Sequence, residues 1–141
     1  MGKTKDHTFY LMSIKPKYAK LIYEGKKQWE FRKAPPPLMV PMFIYESAPV
    51  SRITGIIVFS SMIRGVVSDV WELITHNKAF TKNLTGISWS DLLEYSGKDR
   101  AVAALRVCQV ERCAAPVELQ CAPPQNWGTF YYKDDEVPAH A

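Results

Sequence analysis

EGKKQWEFRK, residues 24–33, sets two patterns side by side within ten positions. Trp29, Glu30, Phe31 and Arg32 alternate apolar, charged, apolar, charged, which is the period-two signature of a half-buried strand. The alternation puts Glu30 and Arg32 together on an outer face and Trp29 and Phe31 on an inner one. Just ahead, Gly25 supplies the left-handed stop that ends a helix. A helix that stops at Gly25 and a strand that starts near Gln28 leave only Lys26 and Lys27 between them. The result is a tight helix-to-strand corner, crowded with charge.

Working outward, TFYLMSI (8–14) reads as a first strand. Lys15-Pro16 then opens the helix, with Pro16 suited to its first turn. Tyr18, Leu21 and Ile22 form its apolar stripe, widened by Ala19 and Tyr23, and leave Lys17 and Lys20 to water or a ligand. Strands follow at 28–33, 42–47 and 52–62, with APPPL (34–38) as a stiff loop and Gly55 marking a bulge. VSDVWELITHN (67–77) reads as a helix capped by Ser68, and SWSDLLEYSG (88–97) as another, capped by Ser88 and stopped by Gly97. FTKNLTG (80–86) is the loop between them. AVAALRVCQVERC (101–113) is a long strand, and CAPPQNWGTFYY ends in an aromatic cluster. Strands outnumber helices. The order predicts an α+β, mainly β domain: a small closed or nearly closed β-barrel decorated by about three helices.

The 141 residues fit one domain, 1–141, whose acidic, small-residue tail at 134–141 is expected to fray. A chain 47% hydrophobic and 12% aromatic can bury a proper core. No apolar run is long enough to span a membrane, and the polar start MGKTKDHTFY carries no secretory region. Asp6 stands where a myristoylation signal wants Ser or Thr. Cys108, Cys113 and Cys121 form no CxxC pair, and His7, His76 and His140 are scattered. The sequence therefore predicts reduced thiols, no zinc site, no cofactor and a cytoplasmic location. Residues 1–33 hold nine Lys or Arg against three acids, whereas the remainder holds nine against eleven. A basic character concentrated in one segment favours a polyanionic partner such as RNA.

The run SIKPKYAKLIYEGKKQWEFRK resembles the opening of the ASCH domain family of the PUA-like superfamily. Its signature is a Lys-Pro-opened helix ending in Gly-x-Lys-x-x-Glu-x-Arg, here Gly25, Lys27, Glu30 and Arg32. FIYESAPVSRITGIIVF (Ser47, Pro49, Gly55), GISWSDLLEYSGKDRAVAALRV (Tyr95, Gly97) and the Pro-rich closing elements resemble later family units in the same order. The resemblance runs from about residue 11 to 132. It implies a PUA-like β-barrel with a cleft beside the first helix that binds RNA or other nucleic acid. Some members of the wider group are small amidohydrolases that deacetylate N4-acetylcytidine, using a Lys, a Thr and a Glu. Lys27 matches that Lys, but Glu30 stands where the Thr belongs, and a carboxylate cannot supply a hydroxyl nucleophile. The third residue would lie beyond the fourth strand, where Asp69 and Glu72 are near in sequence. Another relative is associated with cleavage of single-stranded RNA.

The primary reading is a nucleic-acid-binding module that holds RNA, or one splayed-out or modified nucleotide, in a basic cleft. Lys15 and Lys27 contact phosphate. Arg32 offers a planar fork to a phosphate or base edge, and Glu30 accepts from an exocyclic amine or holds Arg32 or Lys27 in place. Ser47, Tyr95 and Gln125 complete the expected ligand set, with Lys3, Lys5, Lys17 and Lys20 adding only general electrostatics. The alternatives are a nucleoside amidohydrolase or single-strand ribonuclease with Lys27 and Glu30 as its catalytic pair, and a regulatory domain for a metabolite or protein. Oligomeric state and the choice of RNA or DNA are left open by the sequence.

Overall fold

The computed structural model describes residues 6–76 and 84–133. In chain order the elements are β1 (Asp6–Ile14), α1 (Pro16–Tyr23), β2 (Trp29–Arg32), β3 (Met42–Glu46), β4 (Arg52–Val66), α2 (Val67–His76), α3 (Trp89–Ser96), β5 (Ala101–Val117) and β6 (Trp127–Lys133). They form one six-stranded mixed sheet ordered β2-β5-β4-β3-β1-β6. β1 and β3 are parallel, and every other pairing is antiparallel. The sheet is not closed: β2 and β6 are its edges, so backbone pairing alone does not make the expected barrel. Side chains span the gap instead. Arg32 on β2 donates to the Ser13 carbonyl on β1 at 2.9 Å and to Asn126 Oδ1 at 2.7 Å, while Asn126 Nδ2 and Trp127 Nε1 each donate to the Ala34 carbonyl at 3.0 Å.

The core divides as strand alternation requires. Met12, Ile14, Met42 and Ile44 point to one face, where Ala19 and Ile22 of α1 join Ile57, Phe59 and Leu105. Leu11, Phe43, Tyr45 and Ile53 fill the other face. β3 is therefore buried on both sides along all five residues. Trp29 and Phe31 pack with Val67, Val70, Ile74 and Leu92 under α2 and α3, which confirms the alternation read in β2.

Local signals fare unevenly. Pro16 occupies the first turn of α1, Gly25 takes φ +74°, and Ser88 Oγ accepts the Asp91 N–H at 3.1 Å as the cap of α3. The register shifts next to Gly55 mark the expected bulge. Ser68 is not a cap. β4 runs straight into α2, and the Arg100 carbonyl receives the Val67 N–H at 2.9 Å. In α1 the fully buried residues are Ala19 and Ile22, while Tyr18 and Leu21 are only partly covered. Trp89 is half-buried against Trp71 at 5.6 Å between ring centroids. The aromatic tail is a strand, β6, paired along β1. The expected fraying of 134–141, and most of the loop at 80–86, lie outside the described residues.

Candidate functional site

A cleft of about 810 Å³ opens between the start of α1, the outer side of β2, the end of β3 and α3. All seven residues singled out from the sequence line it: Lys15, Lys27, Glu30, Arg32, Ser47, Tyr95 and Gln125. Lys17, Tyr18, Tyr45, Asp91 and Glu94 line it too. The motif does not reveal Asp91 and Glu94, because α3 reaches the cleft only through the tertiary fold. Lys3 and Lys5 lie outside the described residues. Asp69 and Glu72 are exposed on α2 and do not line the cleft. The lining holds four cations, Lys15, Lys17, Lys27 and Arg32, against three carboxylates, Glu30, Asp91 and Glu94.

The helix-to-strand corner forms the floor. Lys26 and Lys27 N–H groups both donate to the Leu21 carbonyl as α1 ends, and Gln28 N–H donates to Leu84 O at 2.7 Å. This geometry turns the Lys27 side chain inward until the residue is only 1% exposed. Its ammonium donates to the Thr85 carbonyl at 2.7 Å and stands 3.9 Å from Glu30 Oε1. The rings of Tyr18 and Phe31 lie 5.2 and 5.4 Å from it. Gly86 takes φ +65° and packs directly on the Lys27 stem, where any β-carbon would come within 2.5 Å of Lys27 Cβ and Cγ. Burial pushes the Lys27 pKa below the ordinary lysine value. The nearby Glu30 carboxylate opposes that shift, and the Arg32 guanidinium adds to it.

Glu30 is 6% exposed, so the outer face of β2 is covered rather than open to water. Its Oε1 accepts the Phe31 N–H at 3.1 Å, and its Oε2 lies 3.5 Å from Arg32. Alternation reports which side a residue faces but not what later covers that side. Arg32 is tied by its bonds to Ser13 and Asn126, and with five donors on its guanidinium it retains capacity for a ligand. Lys15 and Lys17 are exposed at the α1 end of the cleft, Lys17 lying 4.8 Å from the Tyr18 ring centroid. Ser47 follows β3 and donates its N–H to Ile14 O at 3.0 Å. Tyr95 is 40% exposed, and its hydroxyl accepts the Lys33 N–H at 3.1 Å. Gln125 is exposed on the loop that leads into β6. Among the described residues no group of His, Cys, Asp or Glu is placed to hold a metal ion, and no helix is long and apolar enough to cross a membrane.

Comparison with known proteins finds the family model described as the ASCH domain over residues 12–119. A curated protein named ASCH domain-containing ribonuclease, from Zymomonas mobilis, is 33% identical over 74 residues, which are 51% of this chain and 50% of that one. The match thus spans about half the length of the curated relative. The crystal structure of ASCH from Zymomonas mobilis aligns with a TM-score of 0.69 at 22% identity, covering 90% of this chain and 89% of the other. A structure of a serine-to-alanine variant of that protein aligns equally well. These likenesses establish the fold, which is PUA-like with an open sheet.

Proposed function

The chain belongs to the ASCH domain family, and from that premise we propose that it binds single-stranded RNA through the cleft beside α1. One observation carries the reading. Two exposed lysines, Lys15 and Lys17, stand at the mouth of a cleft large enough for a nucleotide, which Tyr18 and Tyr95 also line. Lysines at the mouth suit phosphate, and tyrosine rings suit unstacked bases. The name of the Zymomonas relative, a ribonuclease, points to the same class of ligand.

The test is fluorescence anisotropy with a labelled single-stranded RNA at low and high salt. Binding should weaken as salt rises, because phosphate contacts release counterions. Lys15→Ala with Lys17→Ala should weaken it further and flatten the salt slope by roughly one or two contacts. Binding indifferent to both lysines would overturn this assignment of the cleft.

Cleavage is a second reading, favoured by the buried Lys27. A lysine whose ammonium is disfavoured by burial has more of its neutral amine near neutral pH than an ordinary lysine. In this reading the amine takes the proton of a ribose 2′-hydroxyl. The 2′-oxygen attacks phosphorus, and the 5′-oxygen leaves with a proton from water, giving a cyclic phosphate and a free 5′-hydroxyl. Lys27→Met should then abolish RNA turnover while binding persists. Turnover at the unchanged rate in that variant would remove Lys27 from the chemistry. The deacetylase alternative has no hydroxyl nucleophile at position 30, and Glu30 already holds the Phe31 N–H.

A further inference from the structure

The α3 wall of the cleft is unsuited to phosphate. Asp91 and Glu94 lie three residues apart on α3, so they share one helix face, and that face also presents Tyr95 to the cleft. Both carboxylates are exposed, and among the described residues neither forms an ion pair. Helix stabilisation accounts for Asp91, which sits in the first turn where the macrodipole favours an acid. It does not account for Glu94, which sits in the last turn where an acid is disfavoured and where α3 carries no basic residue. A cleft that took only phosphate would be weakened by these acids through like-charge repulsion.

We infer that the α3 wall reads the base. The lysine end of the cleft holds the phosphate, and Asp91 and Glu94 accept hydrogen bonds from a nucleobase that carries an exocyclic amine, as adenine and cytosine do and uracil does not. Carboxylates are the natural acceptors for such amines, and buried or half-buried donors left without acceptors are penalised, so the pairing discriminates. The floor is consistent with this orientation. Glu30 stands 3.9 Å from Lys27 and 3.5 Å from Arg32 and offsets one of their charges at the centre, so the cleft differs in sign between its lysine end at α1 and its acidic wall at α3. The cleft is polar along its length rather than uniformly basic. This inference rests on the RNA reading above and deepens it by naming the bases selected.

The experiment compares labelled hexamers of adenylate, cytidylate and uridylate against the wild type, Asp91→Ala with Glu94→Ala, which removes both acceptors, and Lys15→Ala with Lys17→Ala. Wild type should bind the adenylate and cytidylate hexamers about tenfold tighter than the uridylate one, the discrimination expected of a single good base contact. The acidic-wall variant should bring the three within about threefold of each other, because adenylate and cytidylate lose their amine contact while relief of repulsion acts on all three alike. The lysine variant should weaken all three alike and keep the preference. Equal wild-type affinities, or a preference that survives in the acidic-wall variant, would overturn the inference while leaving RNA binding in place. Failure of every hexamer to bind would overturn the RNA reading, and this inference with it. Both acids are exposed, so circular dichroism and thermal melting of the variant should match wild type and exclude misfolding as the cause.

Discussion

Replacing Lys27 by Met is the sharpest test of how the cleft floor is held. Methionine keeps the unbranched stem that fills the space beside Gly86 and deletes the ammonium. Two effects oppose each other. The substitution removes a charge whose burial is unfavourable, which stabilises. It also leaves the Thr85 carbonyl, on a residue 8% exposed, without its donor, and an unmade buried hydrogen bond costs about 1–3 kcal/mol. Glu30 is not orphaned, because Arg32 and the Phe31 N–H still face it. The loss therefore falls short of the ~3–5 kcal/mol seen when a buried charge loses its sole partner. A net destabilisation of about 2 kcal/mol should lower the melting temperature by roughly 6–10 °C. The pH dependence is more diagnostic. The folded protein releases the Lys27 proton below the ordinary value of 10.5, while the unfolded chain retains it to that value. Between the lowered value and 10.5 the unfolded state binds more protons, so wild-type stability rises with pH in that window. The variant lacks this rise. Urea denaturation from pH 7 to pH 10 should show the gap between wild type and Lys27→Met widening. A gap that narrows, or a variant more stable than wild type at pH 7, would refute this account, since either outcome would mean that Glu30 or the Thr85 carbonyl had been weighed wrongly against burial.

Gly86→Ala should destabilise by about 2–5 kcal/mol, combining a left-handed backbone for a non-glycine residue with a clash against the Lys27 stem; denaturant titration measures it, and a neutral result would mean that the 84–87 segment does not clamp Lys27. Gly55→Ala should cost about 2–4 kcal/mol, because the added methyl meets the Tyr23 hydroxyl and the Glu111 carbonyl, and the latter is backbone that cannot swing away. Burial raises the Tyr23 pKa from 10.0 to about 12, against the hydrogen bond shared with Thr54 that lowers it. The stabilisation this raised value contributes is whole below pH 10 and is lost as pH rises through about 12, so phenolate absorbance should show one late-titrating tyrosine that disappears in Tyr23→Phe. Arg32→Lys should destabilise by about 2–3 kcal/mol, since an ammonium cannot reproduce the forked bonds to Ser13, Asn126 and Glu30; an unchanged melting temperature would remove Arg32 from the seam.

The sequence made α1, β2 and the α3 cap legible because each is announced within a few residues. A proline in a first turn, a glycine at a left-handed stop, a serine three residues before an unsatisfied N–H and a strict alternation are local statements. The membership of the cleft was legible for the same reason at Lys15, Lys27, Glu30 and Arg32, which sit inside one motif. Depth was not legible. Nothing in EGKKQWEFRK says that Lys27 is sealed by a carbonyl 58 residues away, nor that Asn126, 94 residues on, fastens Arg32. β4 extends four residues past its predicted end because Met62 to Val66 pair with β5 from Leu105 back to Ala101. The residue types there, Met62-Ile63-Arg64-Gly65-Val66, carry no apolar–polar alternation to read. β6 was missed because a strand recognised only by its partner β1 leaves a weak local signal.

The seam and the site are made by the same short strand, and this explains why β2 carries charge on a face that is buried. The backbone sheet stops at β2 on one side and at β6 on the other. Closing that gap with further strand pairing would seal the space beside α1. Closing it with side chains leaves the space open as a cleft and joins the edges through Arg32, Asn126 and Trp127. Arg32 must be charged to donate several strong bonds at once, and a guanidinium so nearly desolvated needs a carboxylate beside it, which Glu30 supplies at 3.5 Å. Glu30 in turn is shared with Lys27 at 3.9 Å. The Gly-x-Lys-x-x-Glu-x-Arg spacing is thus a single electrostatic unit, in which the end residue fastens the fold, the middle carboxylate faces both cations and offsets one of their charges, and Lys27 is left on the cleft floor with its charge partly disfavoured.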